Sequence, residues 1–346
     1  MDCLFTVETG LILAGDVGAT KILLEVGEAR GGKWFPKLAR RYATSEAANL
    51  PDVLTAFLGD WNVVREKGQR IDAAGFGVAG PQLGNKIKMT HRPLVVDGDA
   101  ISSRFLISKV LVVNDLAAAA HGLDWLAPRD LVTVQSGKAA PDEPRVVMGV
   151  GTGLGIAYVV HSESGWREVP GESGHAGFAP ATAQQAELWH AIFKAHGRVS
   201  AEDVVSGMGL THVFSFMKGA SAHAPGESED QATAEWIAER AAEGDLVSSG
   251  ALDLFFECMG NIAGDHALAV MARGGVFLTG GIVARLHVPL RDSRFCEAFC
   301  AKGVSSGAMM KIPVRAVTSE RVALLGAAKL VSETNFPGAR AREIGL

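Results

Sequence analysis

Apolar positions along this chain fall into short runs punctuated by glycine, alternating with longer stretches of helical period. The clearest run is 146–160, VVMGVGTGLGIAYVV: an apolar strand, a turn carrying Gly151, Gly153 and Gly155 beside Thr152, and a second apolar strand. Residues 11–27, LILAGDVGATKILLEVG, repeat the plan with different letters. One supersecondary unit written twice, far apart, predicts two related halves. After the first hairpin the pattern predicts a helix over 47–67, with Leu50, Leu54, Phe57, Leu58 and Trp61 on one stripe. It then predicts a buried strand over 73–78 closed by Gly80-Pro81, a turn and polar strand over 84–89, a helix over 99–105, and a strand over 111–113. That last strand runs straight into Asn114-Asp115 and a helix over LAAAAHGL.

Beyond the second hairpin, 168–180 (EVPGESGHAGFAP) is too rich in glycine and proline for regular structure. Helices are expected over 186–196, 202–206, 234–243 and 251–271, the last patterned by Leu252, Phe255, Phe256, Met259, Ile262 and Leu268 and open to a role in core or interface. Residues 218–231 read as a mobile surface loop, 274–281 as a buried strand ending in a glycine pair, 312–317 as a last strand, 323–330 as a helix, and the tail from Asn335 as loose. Strands alternating with helices throughout predict α/β layers.

The length of 346 residues allows about two domains. A net charge of −5 and the lack of any lysine/arginine-rich run argue against a nucleic-acid or anionic-membrane surface. The opening MDCLFTVETGLILAGD has no basic n-region, so no signal peptide is expected, and no apolar run reaches membrane-spanning length. Cys3, Cys258, Cys296 and Cys300 form no C-x-x-C pair. They read as free thiols, and the expected location is a reducing cytoplasm.

A hairpin tip that bares N–H groups and one hydroxyl suits a phosphate, and two such tips would form a clamp. Neither is a Walker A loop, and a strand rather than a helix follows Gly151-Thr152-Gly153, so the dinucleotide fingerprint does not apply. Asp115, at a strand's carboxyl end, is either part of a helix cap or a general base for a substrate hydroxyl; Asn114 could cap while Asp115 reaches out. Glu172 and His175 together offer the acceptors and imidazole that hold vicinal hydroxyls. Ser200-Ala201-Glu202-Asp203 resembles a capping box, which makes Glu202 structural by pattern. Asp16 is a strand-end cap or a ligand of hydrated Mg²⁺, and Lys21 is solvated or faces phosphate. Gly280-Gly281 is a plain strand exit or leaves room for a flat base.

Five motifs in order, GDVGATK, VVNDLAAA, GVGTGLG, PGESGHAGFAP with VSAEDVVSG downstream, and GGVFLTGGIVAR, span about Leu11 to Leu330. In them the chain resembles the bacterial ATP-dependent glucokinases of the actin-like sugar-kinase superfamily. The resemblance implies a two-domain, ribonuclease H-like α/β fold with a duplicated mixed sheet. The domains would be 1–125 plus 319–346, and 126–318, closing on a sugar between them. It implies Asp115 as catalytic base, with Asn114, Glu172, His175 and Glu202 on the sugar, overriding the structural reading of Glu202. It implies phosphate contacts from Asp16, Gly18, Ala19, Thr20 and Lys21 and from Gly151, Thr152 and Gly153, and an adenosine contact at Gly280 and Gly281. Its substrates would be D-glucose and ATP, with Mg²⁺ carried by the nucleotide near Asp16 and no structural metal, in a homodimer. The chain departs from the family pattern at Ala19, where a second glycine is usual, and at Ser173, Gly177 and Met208, where glycine, aspartate and proline are common. The rival readings are a sibling kinase for mannose, fructose or an amino sugar, and a sugar sensor without turnover.

Overall fold

The computed structural model describes residues 10–47, 49–89, 92–163, 165–169, 171–219 and 233–333. The chain divides into two compact units, one running to Leu126 and resumed from Arg321, the other Ala127–Glu320. The sequence-expected surface loop beyond Gly219, the tail from Asn335, Cys3 and Pro170 lie outside the described residues.

The first unit holds a five-stranded sheet in the order Lys33–Ala43, Lys21–Arg30, Leu11–Val17, Ile71–Val78, Lys109–Asn114. Its first three strands form an antiparallel meander, and the last three run parallel. The three parallel strands end together, because Val17 is level with Val78 and Val78 with Asn114. Helix Leu50–Val64 covers one face. Asn49 caps it by accepting from Asp52 N–H at 2.9 Å, and Leu50, Leu54, Phe57 and Trp61 are buried as its stripe requires, with Leu58 half-buried.

The returning helix Val322–Glu333 packs on this sheet and is held at both ends by charge. Arg321 donates to both oxygens of buried Glu25, each at 2.7 Å, while Trp34 Nε1 donates to the same carboxylate. Lys329 reaches Asp124 at 2.7 Å.

The second unit repeats the plan. Its sheet runs Gly165–Val169, Leu154–Ser162, Arg145–Val150, Gly275–Thr279, Val314–Val317, with Leu131–Gln135 added antiparallel at the far edge. The duplication expected from the two hairpins therefore extends to whole sheets. Helix Leu246–Val270 is buried on nearly every side, Phe255, Phe256 and Met259 included, so it is core. Its one buried acid, Glu257, accepts from Gln185 at 2.9 Å and pairs with Arg294 at 2.5 Å.

Among the described residues the hydrophobic pattern missed five strands, Lys33–Ala43, Leu131–Gln135, Gly165–Val169, and Gln82–Leu83 and Val95–Asp97 on either side of Lys86–Lys88 in a small third sheet, and all five lie at sheet edges. Each of these edge strands buries at most one residue, too few to mark an apolar alternation; in Lys33–Ala43 it is Leu38. Residues 202–206 form a turn rather than the expected helix, and the helix begins one step later as Gly207–Met217. Ser206 caps it by accepting from Gly209 N–H at 2.9 Å, and its glycines had masked its helical pattern. No helix among the described residues is long and apolar enough to cross a membrane.

Candidate functional site

In the first unit the candidate residues gather at the carboxyl edge of the parallel strands, where α/β sheets place ligands. Asp16 is half-buried near the end of Leu11–Val17. The turn after it closes through Gly18 N–H to Lys21 O at 2.9 Å. Its carbonyls are tied back: Thr44 Oγ1 donates to Gly18 O at 2.8 Å, Thr44 N–H to Thr20 O at 3.1 Å, and Arg92 Nε to Ala19 O at 3.1 Å. Ala19 is not among the residues of positive φ, so its Cβ strains nothing where a glycine is usual. Lys21 opens the next strand.

Two strands away, Asn114 is the N-cap of helix Asp115–Gly122. Its Oδ1 accepts from Leu116 and Ala117 N–H at 3.0 and 3.2 Å, and its Nδ2 donates to Gly80 O at 3.1 Å. Asp115 is thereby relieved of capping, except that its Oδ1 also accepts from Leu116 N–H at 2.9 Å. Burial pushes the Asp115 carboxyl above the usual aspartate range, opposed by the N–H groups of Leu116 and of Asp115 itself.

In the second unit the candidates surround the turn between Arg145–Val150 and Leu154–Ser162. Thr279 is level with Gly149 across the sheet, which brings Gly280 against the end of the other strand. Gly280 has φ +100°, and a Cβ there would lie far inside van der Waals contact with Val150 O. Only glycine fits. Gly281, the first residue of helix Gly281–Arg291, has open space where its Cβ would be.

Glu172, His175 and Glu202 come from two loops that pair with each other. Glu202 N–H donates to Gly174 O at 2.9 Å, Ala201 N–H to Ala176 O at 2.8 Å, and Gly177 bridges Ser200. His175 N–H returns to Glu172 O at 3.0 Å, closing the short turn Ser173–His175. Glu172 is exposed, and His175 Nδ1 lies 3.8 Å from Glu202 Oε1. The capping-box bonds do form, since Ser200 N–H and Oγ both reach Asp203 Oδ2 at 2.7 Å, but they close a turn and leave the Glu202 side chain to the site. The Glu202 carboxylate accepts from Leu154 N–H at 2.7 Å.

Sequence reasoning missed Gly174, Leu154 and Ser206-Gly207, whose backbone contacts hold these loops on the turn; a lone glycine gives no warning of what it will touch. It also passed over a cavity of about 450 Å³ beside His175 and Glu202, lined further by His196, Arg198, Met208 and His212. Burial lowers the pKa of His212, helped by neighbouring His196 and opposed by the bond to Asp203 O.

Two α/β units built on the same strand order, each with a glycine turn at the carboxyl edge of its sheet, define the actin-like ATPase fold, and similarity to known proteins places the chain among its sugar kinases. A family model described as Glucokinase matches residues 13–334, and the chain belongs to that family. A glucokinase of Mesorhizobium japonicum is 34% identical over 92% of this chain and 90% of its own, and one of Cupriavidus metallidurans is 32% identical over 96% of each. A solved glucokinase from an Antarctic psychrotroph is 28% identical with a TM-score of 0.81, covering 93% of this chain and 98% of its own. The fold alone is shared with a glucose complex of Balamuthia mandrillaris glucokinase, at 20% identity and a TM-score of 0.71 over 95% of each chain.

Proposed function

We propose that this protein is a glucokinase, transferring the γ-phosphoryl group of Mg·ATP to the 6-hydroxyl of D-glucose and giving glucose 6-phosphate and ADP. Beyond family membership, the observation that carries the reading is the division of labour at Asn114-Asp115. Asn114 caps the helix, and the neighbouring carboxylate keeps an oxygen for a substrate hydroxyl. In the reaction the sugar O6 forms a bond to the γ-phosphorus, the bond from that phosphorus to the bridging oxygen breaks, and Asp115 takes the hydroxyl proton. A raised pKa improves a carboxylate as a base for an alcohol, because the ideal catalytic pKa lies near the working pH.

Phosphoryl transfer otherwise demands alignment and charge neutralisation. Ala19, Thr20 and Lys21 of the first turn and Thr152 and Gly153 of the second would supply N–H groups, hydroxyls and one cation, while Gly18 and Gly151 close the two turns with their own N–H groups and leave their backbone open to the phosphates. Asp16 would hold the Mg²⁺ of the nucleotide through its water shell, and the open space at Gly281 admits a flat base against the backbone. Asn114, Glu172, His175 and Glu202 hold the sugar hydroxyls. The first unit then carries the base and one phosphate turn, and the second carries the sugar loops, the other turn and the adenosine contact. A homodimer is proposed from the resemblance alone. The free thiols Cys258, Cys296 and Cys300 support a reducing compartment, the cytoplasm.

The test is ADP release coupled to a dehydrogenase, over a panel of glucose, mannose, fructose and glucosamine with Mg·ATP and a no-sugar blank. Glucose should give the highest kcat/KM; sugar-independent ADP release, or none with any hexose, would overturn the proposal.

A further inference from the structure

The two oxygens of the Glu202 carboxylate face two different ligands' territory. Oε1 is on the side of His175, in the loop assigned to the sugar, at 3.8 Å from its Nδ1. Oε2 accepts from the N–H of Leu154, the residue that ends the 151–153 turn, at 2.7 Å. The turn itself is closed by Gly151 N–H donating to Gly153 O at 3.0 Å. Gly207 N–H donates to Gly151 O at 2.8 Å, and Ser206 Oγ donates to Glu202 O at 2.8 Å, so the same short segment that carries Glu202 also holds the turn's other end. The carbonyl of Leu154 is pressed against Gly174 so closely that no Cβ fits there, while Gly174 O accepts from Glu202 N–H at 2.9 Å. Leu154, Glu202 and Gly174 thus form a closed triangle of backbone contacts and one carboxylate, all within one unit.

The contact is tight enough to be sensitive. A Cβ built on Gly153 lies 2.5 Å from Glu202 Oε2, nearer than any real pair of such atoms. An alanine at 153 therefore cannot coexist with the carboxylate where it stands. Gly151, by contrast, has open space at the same construction, so the crowding is specific to the residue that abuts Glu202.

We propose that Glu202 is a positioning residue for the nucleotide as well as a sugar ligand, so that through this one carboxylate sugar and ATP each strengthen the other's binding. The proposal rests on the assignment of 151–153 to phosphate and of Glu202 to sugar made above. A sugar hydroxyl that engages Oε1 fixes the side chain, and the fixed side chain holds Leu154 N–H and with it the exit of the phosphate turn. By linkage, the coupling must be reciprocal: whatever sugar does for nucleotide affinity, nucleotide does for sugar affinity by the same factor.

The experiment is a mutant cycle on the full chain with Gly153→Ala, Glu202→Ala and the double variant, joined by Glu202→Gln. Glucose binding is measured by calorimetry without nucleotide, and KM for glucose and for ATP by coupled turnover. Gly153→Ala should weaken glucose binding about tenfold even with no nucleotide present, the reach of one hydrogen bond to a charged group. In the Glu202→Ala background the same change should cost less than about twofold, because the added methyl then meets no carboxylate. Glu202→Gln keeps an acceptor for Leu154 N–H, so it should raise KM for glucose while leaving KM for ATP within about twofold; Glu202→Ala should raise both. Additive effects, with Gly153→Ala changing only KM for ATP, would overturn the coupling while leaving the kinase assignment intact. A wild-type chain that neither binds nor phosphorylates a hexose would overturn that assignment instead, and the coupling with it. Should Gly153→Ala fail to fold by circular dichroism, the Gln and Ala variants at 202 decide: equal effects on KM for ATP refute the proposal.

Discussion

Asp115→Asn is the most searching perturbation, because it should damage turnover and improve stability at once. The replacement is isosteric, and its side-chain oxygen can still accept from Leu116 N–H as Asp115 Oδ1 does at 2.9 Å. The cap at Asn114 is untouched, with its bonds to Leu116 and Ala117 at 3.0 and 3.2 Å. What disappears is the group that takes the proton. Loss of a general base costs about 10²–10⁴ in rate, equivalent to about 2.7–5.4 kcal/mol at 1.36 kcal/mol per decade. The fall should appear in kcat, with glucose affinity little changed. In the wild type, kcat/KM should decline on acidification through a pKa displaced upward from the ordinary aspartate value, since only the ionised form is a base.

Stability moves the other way. Burial raises the folded-state pKa of Asp115, so the folded protein binds this proton more tightly than the unfolded chain does. Stability from this group therefore declines as pH rises from the unfolded pKa, about 3.9, through the raised folded one, and stays reduced above it. Asparagine carries no such penalty. The variant should melt higher than wild type at pH 7, and the gap should close as the pH approaches the unfolded value. Coupled ADP release and calorimetric melts across pH 4–8 read both effects. Near-wild-type turnover would remove Asp115 as the base, and a variant with no stability gain at neutral pH would show that the carboxylate is not held against its burial.

Gly280→Ala should lower Tm by the equivalent of at least about 1–3 kcal/mol, because φ +100° strains any side chain and the methyl would displace Val150 O. In turnover it should raise KM for ATP more than KM for glucose. Arg321→Ala leaves Glu25, which is 5% exposed, with Trp34 Nε1 as its remaining partner among the described residues. The cost in a denaturant melt should be about 2–3 kcal/mol, less than the full value for breaking a buried pair because the guanidinium is partly exposed. A change under about 0.5 kcal/mol would show that water compensates the carboxylate.

Much of the candidate site was readable in the chain before any coordinates. The two glycine hairpins, the strand running into Asn114-Asp115 and the strand ending at Gly280-Gly281 are local features. Each couples an apolar run to the turn or cap that ends it, so neighbouring residues suffice to define it. The same locality explains the division between Asn114 and Asp115, since a cap is decided within three residues. Edge strands escaped because each buries at most one side chain, as with Leu38, Val96 and Val134, and a single buried position makes no alternation. Lys109–Asn114, also an edge, was legible because Val110 and Val112 are carried into the core.

By itself the sequence determined the two-fold repetition and the α/β alternation, because hydrophobic period and turn chemistry act over a few residues, while the roles proposed for the groups that touch substrate came from the resemblance of its motifs to a known family. Glu202 shows where that reach ends. Its neighbours make it part of a capping box, and those bonds form, yet its carboxylate is committed to Leu154, 48 positions back along the chain. Only the tertiary structure could decide this, because close packing of Gly153, Gly174 and Leu154 around one side chain depends on how distant segments meet.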